Sequence, residues 1–164
     1  MEMRVLGHGL IKINTCAAIL NYYINHRKIR HFLFQDTDPE HVDATGILNS
    51  SGTYCFTFAG GCLLFWLTSD NNYEADIYFL PRKRGAVARK AAKEALSFIF
   101  SSQQNPSAVK ARAPIFNATS RHFIVGLGFQ RIGIEPGAFL KNGVRHDVAV
   151  YEIGREQWDQ LSGR

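Results

Sequence analysis

No apolar run in the sequence approaches the length a bilayer-spanning helix needs, and residues Met1 to Leu10 lack the long uninterrupted apolar region of a secretion signal. A soluble, cytoplasmic protein is therefore expected. Cysteine is scarce: Cys16, Cys55 and Cys62 make neither a CxxC pair nor an even disulfide framework, and their apolar and aromatic neighbours predict buried free thiols. The six histidines are scattered, without HExxH or Cys/His ligand spacing, so no metal is predicted. No break in composition marks a linker, and residues 1–164 read as one domain long enough to bury a core.

What the chain does have is a basic excess, a formal net charge of +5. Much of it falls in two clusters, Arg27, Lys28, Arg30 and His31, then Arg82, Lys83, Arg84, Arg89 and Lys90. Such charge suits an acidic partner, nucleic acid or a phosphorylated cofactor alike.

The second cluster sits in the most informative stretch, Tyr73 to Phe100. A strand ends at Pro81, which offers no N–H to a ladder, a basic turn follows with Gly85, and an alanine-rich run of high helix propensity continues to Phe100. Strand, turn and helix in that order place unpaired N–H groups and the positive end of a helix dipole at one point, a phosphate site reinforced by the arginines and lysines. An ordinary solvated basic helix end has the same sequence signature.

Along the chain, Met3 to Gly9 is a candidate first strand. Ile13 to Ile24 has apolar residues at helical spacing, with Asn14 or Thr15 as cap. His26 to Phe34 is basic and aromatic, and Asp38 to Leu48 is a second helical candidate with Pro39 at its first position. Thr53 to Phe58 and Cys62 to Thr68, separated by Ala59, Gly60 and Gly61, predict an antiparallel hairpin that continues through Asp70, Asn71 and Asn72 into the Tyr73 strand. Ala108 to Ile115 reads as a strand parallel to it, because a helix crosses between them. Asn117 caps a helix from Ala118 to Leu127, with Gly128 just past its end. Phe129 to Ile134 and Val144 to Ile153 are the last strands, joined through an Asn142-Gly143 turn, with Pro136 and Gly137 suggesting irregularity between.

A meander, a helix, a parallel strand, a helix and a final hairpin, with an anion-binding turn at the middle, resembles the GNAT acetyltransferase superfamily. The segment from Asn117 through Ser120 and Arg121 to Leu127, Gly128 and Phe129 is similar to the Asn-x-x-Ser-Arg…Leu-Gly-Phe stretch of the branch that acetylates ribosomal-protein N-termini. Gly133, Asp147 and Tyr151 also fall where that branch commonly has them, and Phe79 to Arg89 and Gly137 to Asp147 are similar to short GNAT-like proteins of bacteriophages, which would place the chain in a host cytoplasm. The resemblance covers about Tyr54 to Ile153 and implies an α/β fold with a mixed, mostly antiparallel sheet, splayed between the Tyr73–Leu80 and Ala108–Ile115 strands. It also implies acetyl-CoA as co-substrate and an amine acceptor, whether a protein N-terminus, a lysine or a small amine. The pyrophosphate motif Arg/Gln-x-x-Gly-x-Gly/Ala fits Arg82 and Gly85 but ends in Val87, which narrows the loop. The register ending at Ala86 and Ala88 lacks both the arginine and the central glycine. Arg82, Arg84, Gly85, Ala86, Val87, Ala88 and Arg89 are thus the candidate diphosphate contacts.

Acetyl transfer needs a neutral amine, donors to polarise the thioester, and a proton for the leaving thiolate. Glu74, Asp76 and Tyr78 alternate onto one strand face, where either carboxylate is placed to accept the amine proton, Glu74 slightly favoured; each also reads as an ordinary strand carboxylate. By the resemblance, backbone N–H groups at Phe79 and Leu80 meet the thioester, Asn117 bonds pantetheine and Ser120 faces the thiolate, although both also suit helix capping. The tyrosine acid common on this helix is replaced by Ile124, and His122 beside it is set aside. Two rivals stand beside an N-acetyltransferase: a GNAT-fold binding or assembly component without turnover, and, ranked last, a nucleic-acid binder using Phe32 and Phe34 among the basic clusters. The oligomeric state stays open, a homodimer included.

Overall fold

The computed structural model describes residues 9–83 and 85–163; the candidate strand at Met3 to Gly9 lies, but for Gly9, outside them, and so does Arg84. Seven strands form one mixed sheet in the order β1-β2-β3-β4-β5-β7-β6. After β1 (Lys12–Ile13) come three short helices, α1 (Ala17–Ile24), α2 (Arg27–Leu33) and α3 (Thr45–Leu48). The meander β2 (Tyr54–Phe58), β3 (Gly61–Leu67) and β4 (Tyr73–Phe79) is antiparallel throughout. One turn of 3-10 helix (Pro81–Lys83) leads into α4 (Ala86–Phe100), which crosses over to β5 (Ala108–Pro114), parallel to β4 as the crossover requires. Then follow α5 (Ala118–Gly126), β6 (Gln130–Lys141), β7 (Val144–Gly154) and α6 (Arg155–Ser162).

Two apolar clusters sandwich the sheet. On one face Ala88, Ala91, Ala92, Ala95 and Leu96 of α4 pack on Phe56, Leu63, Phe65 and Val109, small helix residues letting the helix approach the large strand residues closely. On the other, Leu20 and Ile24 of α1 and Ile29 of α2 cover Cys55, Cys62, Leu64 and Tyr78, the β2–β4 half only. At Gly61, where β3 meets β4, a Cβ would fall 2.6 Å from both the Phe79 ring and the Tyr78 carbonyl oxygen. Gly61→Ala is therefore expected to cost about 1–3 kcal/mol of unfolding free energy by overpacking, read from the urea midpoint.

Several sequence expectations are corrected. The first helix begins at Ala17 rather than Ile13, because Asn14 is buried, its Oδ1 accepting from Cys16 N–H at 3.0 Å and its amide donating to Cys55 Sγ at 3.7 Å. His26 to Phe34 is mostly helix, while between Asp38 and Leu48 only the last four residues are helical, so Pro39 opens no helix. Cys16 is only partly buried, unlike Cys55 and Cys62, and all three thiols are free. The sixth strand runs through Pro136 and Gly137 as the sheet's edge, absorbing them in an irregularity between Glu135 and Phe139. Among the described residues no helix is long and apolar enough to cross a membrane.

Candidate active site

Strands β4 and β5 pair only from Tyr73 to Ala75 against Val109 to Ala111, although both continue for several residues beyond. Past Ala75 they diverge, and the gap holds a cavity of about 230 Å³. Ala75, Ile77 and Phe79 line it from β4, Ala111 and Ala113 from β5, and Phe123 closes on Phe79 edge to face, ring centroids 5.0 Å apart. Backbone groups along a strand address alternate neighbours. Leu80 N–H donates to Gly60 O at 3.1 Å, on the β3 side, so the N–H groups of Ile77 and Phe79 face the gap, beyond the last β5 pairing. Of the two N–H groups expected to meet a thioester, those of Phe79 and Leu80, that of Leu80 is thus bonded within the sheet.

The turn between β4 and α4 opens onto the same cavity. Gly85 caps α4 with φ +125° and ψ −145°, a backbone conformation essentially confined to glycine, and the space where its Cβ would stand is empty out to 4 Å. Behind it, the first N–H groups of α4 have no intrahelical partner, and no acidic residue occupies that turn. Arg89 lines the cavity, with its guanidinium 3.2 Å from where a Gly126 side chain would begin on α5. Arg82 and Ala86 are exposed and Val87 is 50 % exposed; none of these three borders the cavity. Ala88 is buried in the core and offers a ligand only its N–H.

Opposite stands the start of α5. Asn117 is 3 % exposed, and its Oδ1 accepts from Ser120 N–H at 3.2 Å, a helix cap; both residues line the cavity. No described protein group accepts from the Asn117 amide nitrogen. His122, set aside in the sequence, is exposed on the rim, and Ile124 is buried against the core.

Asp76 and Glu74 differ in their surroundings. Asp76 lines the cavity, while Glu74 does not. Burial pushes the Asp76 carboxyl up to about 6, with the Tyr78 hydroxyl, donating at 3.0 Å, pulling the other way. Glu74 is also raised, first by burial, with Arg112 opposing and Glu135 adding to it. Arg112 itself is ion-paired with Glu135. Of the two carboxylates the sequence offered, with Glu74 slightly favoured, the structure brings Asp76 to the cavity, where Tyr78 is its one hydrogen-bond partner among the described residues. Leu33, Arg112, Thr119 and Phe123 border the cavity and were not singled out from the sequence; only the polar alternation of Lys110 and Arg112 along β5 gave any sign of them. Among the described residues no group of three His, Cys, Asp or Glu side chains is placed to hold a metal ion.

Neither a protein-family model nor a curated protein sequence matches the chain. Solved structures do. Spermidine N-acetyltransferase from Vibrio cholerae, in complex with CoA and spermine, superposes with a TM-score of 0.74 at 16 % identity, over 91 % of this chain and 98 % of that one. The chain has the GNAT acetyltransferase fold. An acetyltransferase of the GNAT family from Bacillus anthracis agrees, with a TM-score of 0.69 at 17 % identity over 95 % and 99 % of the two chains. The diverging β4 and β5, the Gly85 turn and the Asn117 cap surround one cavity, and the splay of the two strands is the one expected of this fold.

Proposed function

We propose that the chain transfers the acetyl group of acetyl-CoA to an amine. The observation that carries this reading is the gap between β4 and β5, a pantetheine-sized slot with unpaired strand N–H groups on one wall and an anion-accepting helix start at its mouth. The group fits: Gly85 leaves open space in front of the backbone for a diphosphate, with the N–H groups of Ala86, Val87 and Ala88 behind it and Arg89 beside it. Arg82 and, outside the described residues, Arg84 add charge at the turn.

In the reaction, Asp76 takes a proton from the acceptor's ammonium, and the neutral nitrogen attacks the thioester carbonyl carbon. Backbone N–H groups of Ile77 and Phe79 stabilise the developing oxyanion. The carbon–sulfur bond breaks and the nitrogen passes its second proton to the departing thiolate, which leaves as the CoA thiol beside the Ser120 hydroxyl, with the Asn117 amide nitrogen placed to hold the pantetheine. Glu74 adds negative potential on the acceptor face.

One observation favours the rival of a binding component without turnover: Ile124 is buried where related helices carry a tyrosine acid. Thermal shift separates CoA binding from its absence. Saturating acetyl-CoA at about a hundred times its Kd is expected to stabilise the protein by about 2.7 kcal/mol, less at high salt because Arg82 and Arg89 are exposed. No shift at millimolar ligand would remove CoA from the account; a shift without acetyl transfer to any amine would favour the rival.

A further inference from the structure

The carboxylate that takes the acceptor's proton is held from behind. Tyr78 follows Asp76 by two residues on β4, so both side chains stand on the face that α1 and α2 cover. The Tyr78 ring is buried with Leu20 and Ile24 of α1, Ile29 of α2 and Cys55 and Leu64 of the sheet, and Cys62 is its register partner on β3. It does not border the cavity. Close packing fixes the ring, and the ring fixes where its hydroxyl stands.

That hydroxyl donates to Asp76 Oδ2 at 3.0 Å, and among the described residues it has no other hydrogen-bond partner. Asp76 is only half-buried, because it borders the cavity that Tyr78 does not reach. The last torsion of an aspartate is broad when nothing restrains it, so a fixed donor is what selects one orientation. With one oxygen bonded on the protein side, the other is left for the cavity. Burial, then the Asp76 charge and the hydrogen bond to it, hold the Tyr78 phenol well above its ordinary pKa, so it stays protonated and donating. Glu74 on the same strand and Arg112 on β5 also face Asp76, while Cys55 and Cys62 face Tyr78, with Tyr23 of α1 beside Cys62. Glu74 opposes ionisation of Asp76, and Arg112, already ion-paired with Glu135, favours it less than Tyr78 does.

We infer that Tyr78 is a positioning residue for the base: its hydroxyl pins one oxygen of Asp76 and thereby aims the other at the acceptor nitrogen. The inference rests on the acetyl-transfer reading above. Tyr78 touches neither acceptor nor thioester and moves no proton. Nor does it stand in for the tyrosine acid that Ile124 replaces, since it does not border the cavity.

Tyr78→Phe tests this, because it keeps the ring and removes only the donor. The readouts are a carbon NMR titration of the Asp76 side-chain carboxyl and the pH dependence of kcat with the amine that wild type acetylates best. The titration midpoint and the acid limb of kcat are both expected to rise by about one to two pH units, the worth of a hydrogen bond to a charged group. Above the shifted limb, kcat is expected to stay about tenfold below wild type with KM for acetyl-CoA unchanged, because the freed carboxylate samples orientations that miss the nitrogen. In an Asp76→Asn background the same substitution should leave kcat where Asp76→Asn alone puts it, as for two residues acting as one unit. An unmoved NMR midpoint in the folded variant overturns the inference. So does a limb that shifts while kcat recovers fully at high pH, which would reduce the hydroxyl to an effect on charge. Transfer to no amine by wild type, with CoA still bound, instead overturns the acetyl-transfer reading and takes the role of Tyr78 with it.

Discussion

Asp76→Asn is expected to lower kcat by about 10²–10⁴-fold at neutral pH, the range of a lost general base, with CoA affinity unchanged. The same substitution is expected to stabilise the fold. Burial raises the Asp76 carboxyl from 3.8 to about 6. A group whose folded pKa lies above its unfolded value favours the folded state while it is protonated in both. That contribution is complete below pH 3.8 and lost as pH rises through about 6. At neutral pH the charged form is therefore held at a cost, about 1–3 kcal/mol at roughly 1.4 kcal/mol per tenfold in proton affinity, discounted for the water that reaches the cavity. An asparagine carries no such charge, so the variant's urea midpoint should exceed that of wild type at pH 7.5 and approach it near pH 4. The wild-type kcat should fall as pH drops below about 6, with a limb that the variant lacks. A variant with wild-type kcat would transfer the role away from Asp76, and a variant less stable at pH 7.5 would contradict the burial argument.

The second large effect is at Gly85. Its positive φ means that any side chain strains the turn, at about 1–3 kcal/mol, even though nothing stands in its way. Gly85→Ala and Gly85→Asp should therefore lose similar stability while α4 still forms, since an acidic residue near a helix start suits the dipole. Only the aspartate adds a charge where a diphosphate would approach the backbone. It is expected to weaken CoA binding by at least about a hundredfold beyond the alanine variant, measured by calorimetry at low salt. Equal affinities in the two variants would mean that the diphosphate does not lie at this turn.

How far the sequence was readable follows from where its signals are local. The alanine-rich run placed the end of α4 at Phe100 but not its start, which lies at Ala86 inside the stretch read as a basic turn up to Arg89, whereas Asn117 and Gly128 bracketed α5, because propensity and caps act over a single turn. The α2 helix was missed because Ile29 and Leu33 are its only aliphatic residues among basic and aromatic neighbours, and it is stabilised by packing on the sheet rather than by its own pattern. The α6 helix was missed for a similar reason: Gly154 caps it without a side chain, and Trp158 alone is buried. At the site, period-two alternation placed Glu74, Asp76 and Tyr78 on one face but carried no depth. Only the divergence of β5 after Ala111 separates the cavity carboxylate from its neighbour, and that is a tertiary fact. Likewise Asp36 reads as an ordinary loop acid until a hairpin more than a hundred residues away supplies its two donors.

The central claim is acetyl transfer to an amine within the β4–β5 gap. Its most direct measurement is mass spectrometry of an amine panel incubated with isotopically labelled acetyl-CoA and the purified protein, with released CoA thiol counted in the same samples. The account predicts a labelled N-acetyl product in step with thiol release, and both strongly reduced in Asp76→Asn. Thiol release no faster than in protein-free controls, with every amine unmodified, would contradict it.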